Sequence, residues 1–139
     1  MTGMLRRAAP GACAAASRGA IVVVGPCAAG KTTLVQHLAQ VGVPARALAQ
    51  EHSVVPTLFL RYPGAGLVYL TAEWTVLRRR RPHTGGWPQY AAEMRILQQA
   101  RAAAQLVVHT DSRTPDAVAE LVLSWWQHRG RTAAPSTRV

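Results

Sequence analysis

Apolar positions in this chain alternate between short unbroken runs and stripes at helical spacing. Ala20 to Val24 is an apolar, β-branched run of strand length that ends at Gly25. Leu34, Val35 and Leu38 then predict a helix from Lys31 to about Gln40, closed by Val41-Gly42-Val43-Pro44. Ala45 to Gln50 is a second strand of weak β-propensity, expected because a parallel unit needs a strand after its helix. Val54, Val55, Leu58 and Phe59 are helix-spaced within Ser53 to Tyr62, and Pro63-Gly64-Ala65-Gly66 is a turn. Leu67 to Leu70 is a continuous apolar run of the kind buried on both faces.

The second half repeats the alternation. Glu73 to Arg81 is a helix with Trp74 and Leu77 on its apolar side and arginines at its end. Trp87 to about Ala104 is the longest helical pattern, with Tyr90, Met94, Leu97 and Arg101 on one face. Gln105 to His109 is a fourth strand. Thr114 is placed as N-cap and Pro115 as first helical residue of a last helix, Ala117 to about His128, with Val118, Leu121, Val122 and Trp125 facing in. The expected fold is α/β: a three-layer α/β/α sandwich on a short, mostly parallel sheet of about four strands. The expected organisation is a basic, Ala-rich, disordered leader over 1–19, one domain over 20–130 and a flexible tail over 131–139.

Composition narrows the class. The 139 residues are 49% apolar, enough for one globular core. The formal net charge is +10, which suits anionic partners such as nucleotides or phosphorylated substrates; abundant Ala and Arg equally fit a bias in base composition. Cys13 and Cys27 form no framework and have no metal-ligand company, so a reducing, cytoplasmic setting is expected. No apolar run reaches transmembrane length, and no membrane partner is expected. Arg6 and Arg7 before an Ala-rich stretch only loosely match an export signal, since Pro10 and Gly11 break it.

The sharpest chemistry lies between the first strand and the first helix. Gly25, Pro26, Cys27, Ala28, Ala29, Gly30, Lys31, Thr32 and Thr33 match GxxxxGK[ST] in the strand–loop–helix setting that the pattern requires. Glycines there permit close backbone approach, and inward amides with the helix N-terminus make a nest for phosphate. Lys31 brings a mobile positive charge to the β- and γ-phosphates, and Thr32 a hydroxyl for magnesium. Lys31 is the only lysine beside fifteen arginines, and Arg's planar fork does not replace an ammonium in a tight loop.

Other candidates are weaker in pattern. Glu51, one of six acidic residues, follows the second strand, where ligands bind in open α/β sheets; its roles are magnesium holder through water, or base toward a hydroxyl. A surface carboxylate is the plain alternative. His52 is a solvent or capping histidine before it is a catalyst. Arg78 to Arg81 either complement a helix dipole or form a lid that neutralises a transferring phosphoryl group.

In the order of its parts the chain resembles the nucleoside-monophosphate-kinase and shikimate-kinase branch of the P-loop fold. The likeness rests on the loop from Gly25 to Thr33, on Leu67-Val-Tyr-Leu-Thr leading to the arginine-ended helix and Arg81-Pro82, on Arg101 to Asp111, and on Thr114 to Leu123. It implies ATP, magnesium and transfer of the γ-phosphoryl group to a small acceptor. It implies lid arginines within Arg78 to Arg81, with Arg78 and Arg79 catalytic beside Lys31 and Glu51, and Arg81 on the nucleotide. It implies that the loop holding Asp111 lies beside adenine, and that Thr32 and Glu51 serve the metal. The family's substrate-binding insertion is nearly absent here, Thr71 stands where an acidic residue is common, and one of the usual five strands is missing. A non-catalytic nucleotide-binding module and a nucleic-acid-associated ATP switch therefore remain as alternatives. A guanine-nucleotide switch is disfavoured, because neither Asp-x-x-Gly nor an Asn/Thr-Lys-x-Asp motif occurs.

Overall fold

The computed structural model describes residues 20–62, 65–82, 85–129 and 137–138. The leader expected over 1–19, with Cys13, lies outside the described residues, as do residue 130 and 131–136 and 139 of the expected tail.

Four strands form an all-parallel sheet: β1 (Ile21–Val24), β2 (Ala45–Ala47), β3 (Gly66–Thr71) and β4 (Leu106–His109), in the order β2-β1-β3-β4. The two-residue strand β5 (Thr137–Arg138), inside the expected tail, pairs in parallel with the free side of β4. The helices are α1 (Lys31–Gln40), α2 (Trp74–Arg80), α3 (Gly86–Ile96), α4 (Gln98–Ala103) and α5 (Pro115–His128). Parallel strands need crossovers, and these cover both faces of the sheet. That is why β1 and β3 are buried along their whole length.

Side chains alternate across β1 and so divide the core in two. Ile21 and Val23 point to one cluster, with Leu34 and Leu38 of α1, Leu77 of α2 and Val118 and Val122 of α5. Val22 and Val24 point to the other, with Leu48, Phe59, Tyr69 and Leu97, Ala100 and Ala104 of the α3–α4 side. Burying an Ile, Leu or Phe contributes about 1.5–3 kcal/mol, so these two clusters, not local propensity, hold the layers.

Three expectations are corrected. Ser53 to Tyr62 forms no α-helix; the segment carries 3₁₀ turns at Gln50–His52 and Leu58–Arg61. Of its helix-spaced apolar positions Phe59 is buried and Leu58 half-buried, whereas Val54 is 89% exposed. The long pattern from Trp87 is two helices, interrupted at Leu97. Its buried line is Glu93, Leu97, Ala100 and Ala104, rotated from the expected face, with Arg101 half-buried. The last helix starts as expected: Thr114 Oγ1 accepts the Ala117 N–H at 3.1 Å, with Pro115 as its first residue. No described helix is long and apolar enough to cross a membrane.

Candidate functional site

All four strands end at one edge, and the connection from β1 to α1 turns there. Gly25 crosses so close to β3 that a Cβ would stand 2.1 Å from Leu70 O. Gly30 sits at φ 106, a conformation costly for any side chain, and Ala28 holds a left-handed φ of 72. The turn closes through Ala29 N–H to Pro26 O at 3.2 Å, and α1 begins with Leu34 N–H to Gly30 O at 3.0 Å. No acceptor is found among the described residues for the backbone N–H groups of Ala28, Gly30, Lys31, Thr32 and Thr33. Five unsatisfied donors at the positive end of a helix favour an anion.

Lys31 folds back over the turn. Its Nζ donates to Gly25 O at 2.9 Å, to Pro26 O at 3.2 Å and to Glu51 Oε2 at 2.6 Å. Glu51 is carried there by the 3₁₀ turn after β2, and its side chain is 4% exposed. His52 Nε2 stands 3.6 Å from the same Oε2. Glu51 Oε1 is buried with no hydrogen-bond partner among the described residues. An unpaired carboxylate oxygen in such a place is costly unless a cation or donor reaches it.

The connections after β3 and β4 brace the turn from the far side. Arg80 Nη1 donates to Ala28 O and to Thr110 Oγ1, both at 3.1 Å, and Nη2 to Thr110 O at 2.6 Å. Thr110 Oγ1 in turn donates to Ala29 O at 3.0 Å. Arg80, one of a run of four arginines in sequence, bonds the turn directly. Arg81 borders the cavity beside it, whereas Arg78 and Arg79 are exposed and do not line it. Asp111 does not line it either; its Oδ2 accepts the Glu73 N–H at 2.6 Å and fixes the start of α2.

A cavity of about 610 Å³ opens over the turn, lined by residues 27–34 and, among others, by Glu51, His52, Arg80, Arg81, Thr110 and Arg113. Its charged lining is Lys31, Glu51, Arg80, Arg81 and Arg113, with His52 beside Glu51. The volume lies within the range of small-molecule sites. Among the described residues no cluster of three or more His, Cys, Asp or Glu could hold a metal by itself. Thr32 and Glu51, both on the cavity, are a donor set that fits magnesium, which rests on one or two carboxylates plus substrate phosphates.

One acidic residue escaped the sequence reading. Glu93 of α3 is 5% exposed, and its Oε1 accepts the Cys27 N–H at 3.0 Å. Gln89 Nε2 donates to its Oε2 at 2.9 Å, and Gly85 N–H to Gln89 Oε1 at 2.6 Å. The signal was present: Glu93 is in line with Leu97 and Ala100, an acidic residue on an apolar helix face. Beside it burial raises the Tyr90 phenol, and Arg101 opposes that rise.

No family model matches this chain, and a search of curated proteins finds no match.

Proposed function

We propose that this protein is a P-loop kinase that binds ATP with magnesium and transfers the γ-phosphoryl group to a small hydroxyl-bearing acceptor. One observation carries the reading: five free amides, backed by the ammonium of Lys31 and faced by a buried, half-satisfied Glu51, converge on a single cavity at the carboxyl edge of a parallel sheet. In this reading the amides of Ala28 to Thr33 hold the phosphates, and Lys31 neutralises the charge that grows on the transferring group. Arg80 positions the turn, and Arg81 and Arg113 face the nucleotide. Thr32 and Glu51 would hold magnesium, which supplies further neutralisation. The acceptor oxygen bonds to the γ-phosphorus while the β–γ bridging P–O bond breaks and ADP leaves with its electrons. The hydroxyl proton passes to Glu51 and then to water.

The test is calorimetric titration with MgATP, followed by an ADP-release assay with a panel of small alcohols. Lys31→Ala should weaken MgATP at least a hundredfold; an unchanged affinity removes the site. Glu51→Gln should leave affinity within a fewfold and stop transfer. Thr71, at the end of β3 where a carboxylate would help the metal, favours a second reading, a nucleotide-binding module without turnover. Tight MgATP binding with no ADP formed from any acceptor would select that reading.

A further inference from the structure

Next to the main cavity lies a smaller cleft lined by Cys27, Trp74, Leu77, Gly86, Gln89, Tyr90 and Glu93, and the two share Cys27. Its free volume is about 10 Å³, room for one water-sized group and not for a phosphate. Glu93 reaches it as a buried carboxylate with two neutral donors, Cys27 N–H and Gln89 Nε2. A carboxylate offers about four lone-pair sites, so half its capacity remains. No Lys, Arg or His pairs with Glu93 among the described residues. A buried charge without a counter-ion is expensive, and retaining one makes sense where the counter-ion arrives with a ligand. The rings of Trp74 and Tyr90, 5.4 Å apart between centroids, add electron-rich surface that favours a cation.

Resting on the kinase reading, we infer that the acceptor is a hydroxyl compound bearing an ammonium group, and that this group is received by Glu93 in the cleft beside Cys27. An ammonium is close to water in size, donates three hydrogen bonds and matches the carboxylate in charge. An acceptor bearing phosphate or carboxylate would meet the Glu93 carboxylate there, and no arginine is among the described residues that line the cleft. The chain's net charge of +10 repels cations in general, so preference for one is not a background effect.

Three near-isosteric probes decide the matter: ethanolamine, ethylene glycol and glycolate, each a hydroxyl compound, carrying positive, zero and negative charge. Each is titrated into the full chain with magnesium and a non-hydrolysable ATP analogue, and again without the nucleotide, followed by tryptophan fluorescence. Ethanolamine should bind at least tenfold more tightly than ethylene glycol, and glycolate more weakly than either. Glu93→Gln, which keeps an acceptor for Cys27 N–H, should bring the ratio to within twofold; Trp74→Leu should reduce it about threefold. Equal binding of the three probes, absence of binding by ethanolamine, or an ammonium preference that survives Glu93→Gln overturns the inference. Failure of the analogue itself to bind falls instead on the nucleotide reading, since the probes are also compared without it.

Discussion

Two connections leave the same edge of the sheet side by side, one after β1 and one after β2. The first, from Gly25 to Gly30, is six residues whose backbone is held from four directions: by β3 across Gly25, by Lys31 from α1, by Arg80 with Thr110, and by Glu93 from α3. The second runs from Leu48 through two 3₁₀ turns, and besides the Glu51–Lys31 pair and the buried Phe59 ring its backbone is organised by one side chain. Gln50 is fully buried; its Nε2 donates to Pro56 O at 2.6 Å and Ile96 O at 3.3 Å, and its Oε1 accepts the Phe59 N–H at 3.0 Å. The first connection is built to hold a shape that local propensity disfavours, and the second to deliver Glu51 and Phe59 to their places. Rigidity in this site is thus a property of converging side chains, not of regular secondary structure.

The sharpest way to break the first connection is Gly25→Ala. A methyl 2.1 Å from Leu70 O cannot be absorbed by a rotamer change, because a Cβ has no rotamer and the carbonyl it meets is backbone. We expect a loss of about 3 kcal/mol in urea unfolding, in the upper part of the range for single substitutions. A loss under about 1 kcal/mol would mean that β1 and β3 separate easily there.

The second connection should fail at Gln50. Gln50→Leu keeps the volume and strands two carbonyls and the Phe59 N–H, each costing on the order of 1–3 kcal/mol where water does not replace the amide. The expected loss is about 2–3 kcal/mol, with faster hydrogen exchange over 50–62 than over 25–40. Uniform exchange in both segments would show that Gln50 does not organise its own loop.

The two connections also differed in how far they could be read from sequence. Gly25, Gly30 and Lys31 announce the first turn because each is demanded by backbone geometry or charge at a fixed spacing, and the strand and helix around it follow from periodicity. Thr114-Pro115 announced α5 for the same reason. Ser53 to Tyr62 misled because its apolar spacing is helical while its fold is set by Gln50, a tertiary contact to Ile96 that no local window contains. Arg80 could not be told from Arg78, Arg79 and Arg81, since register against Thr110 separates them. Glu93 was hidden by a helix face placed one residue away. Glu51 was reachable only through the order of elements, and its contact with Lys31 is a fact of the folded chain.

Alkaline pH sharpens the contrast further, because Tyr69 packs on the side of β3 served by the second connection, with Leu48 and Phe59. Burial pushes its phenol from 10.0 up to about 12, with Arg101 pulling the other way. Below pH 10 both folded and unfolded chains keep the proton, so the stability is intact. Above it the unfolded chain releases a proton that the folded chain retains, and stability falls until about pH 12, by roughly 2–3 kcal/mol in all. Tyr69→Phe should flatten that fall when unfolding is followed from pH 9 to 12. An identical slope in the variant would place the alkaline loss on another group.

The smallest expected effect tests whether the first connection stores strain. Ala28 holds φ 72 with its carbonyl fixed by Arg80. An alanine there costs roughly 1–2 kcal/mol against the right-handed region. Ala28→Gly relieves that cost, and the added freedom of glycine in the unfolded chain returns about 0.5–1 kcal/mol of it. The net gain should be about 0.5 kcal/mol, visible as a rise of about 1–3 °C in Tm. Under the proposed kinase reading, MgATP affinity should move the other way, falling slightly as the amides become less preorganised. A drop in stability instead would mean that the Ala28 methyl, which packs against the α1–α5 side of the core, matters more than the backbone angle it is forced to adopt. The turn would then be held by packing from below rather than by the arginine above it.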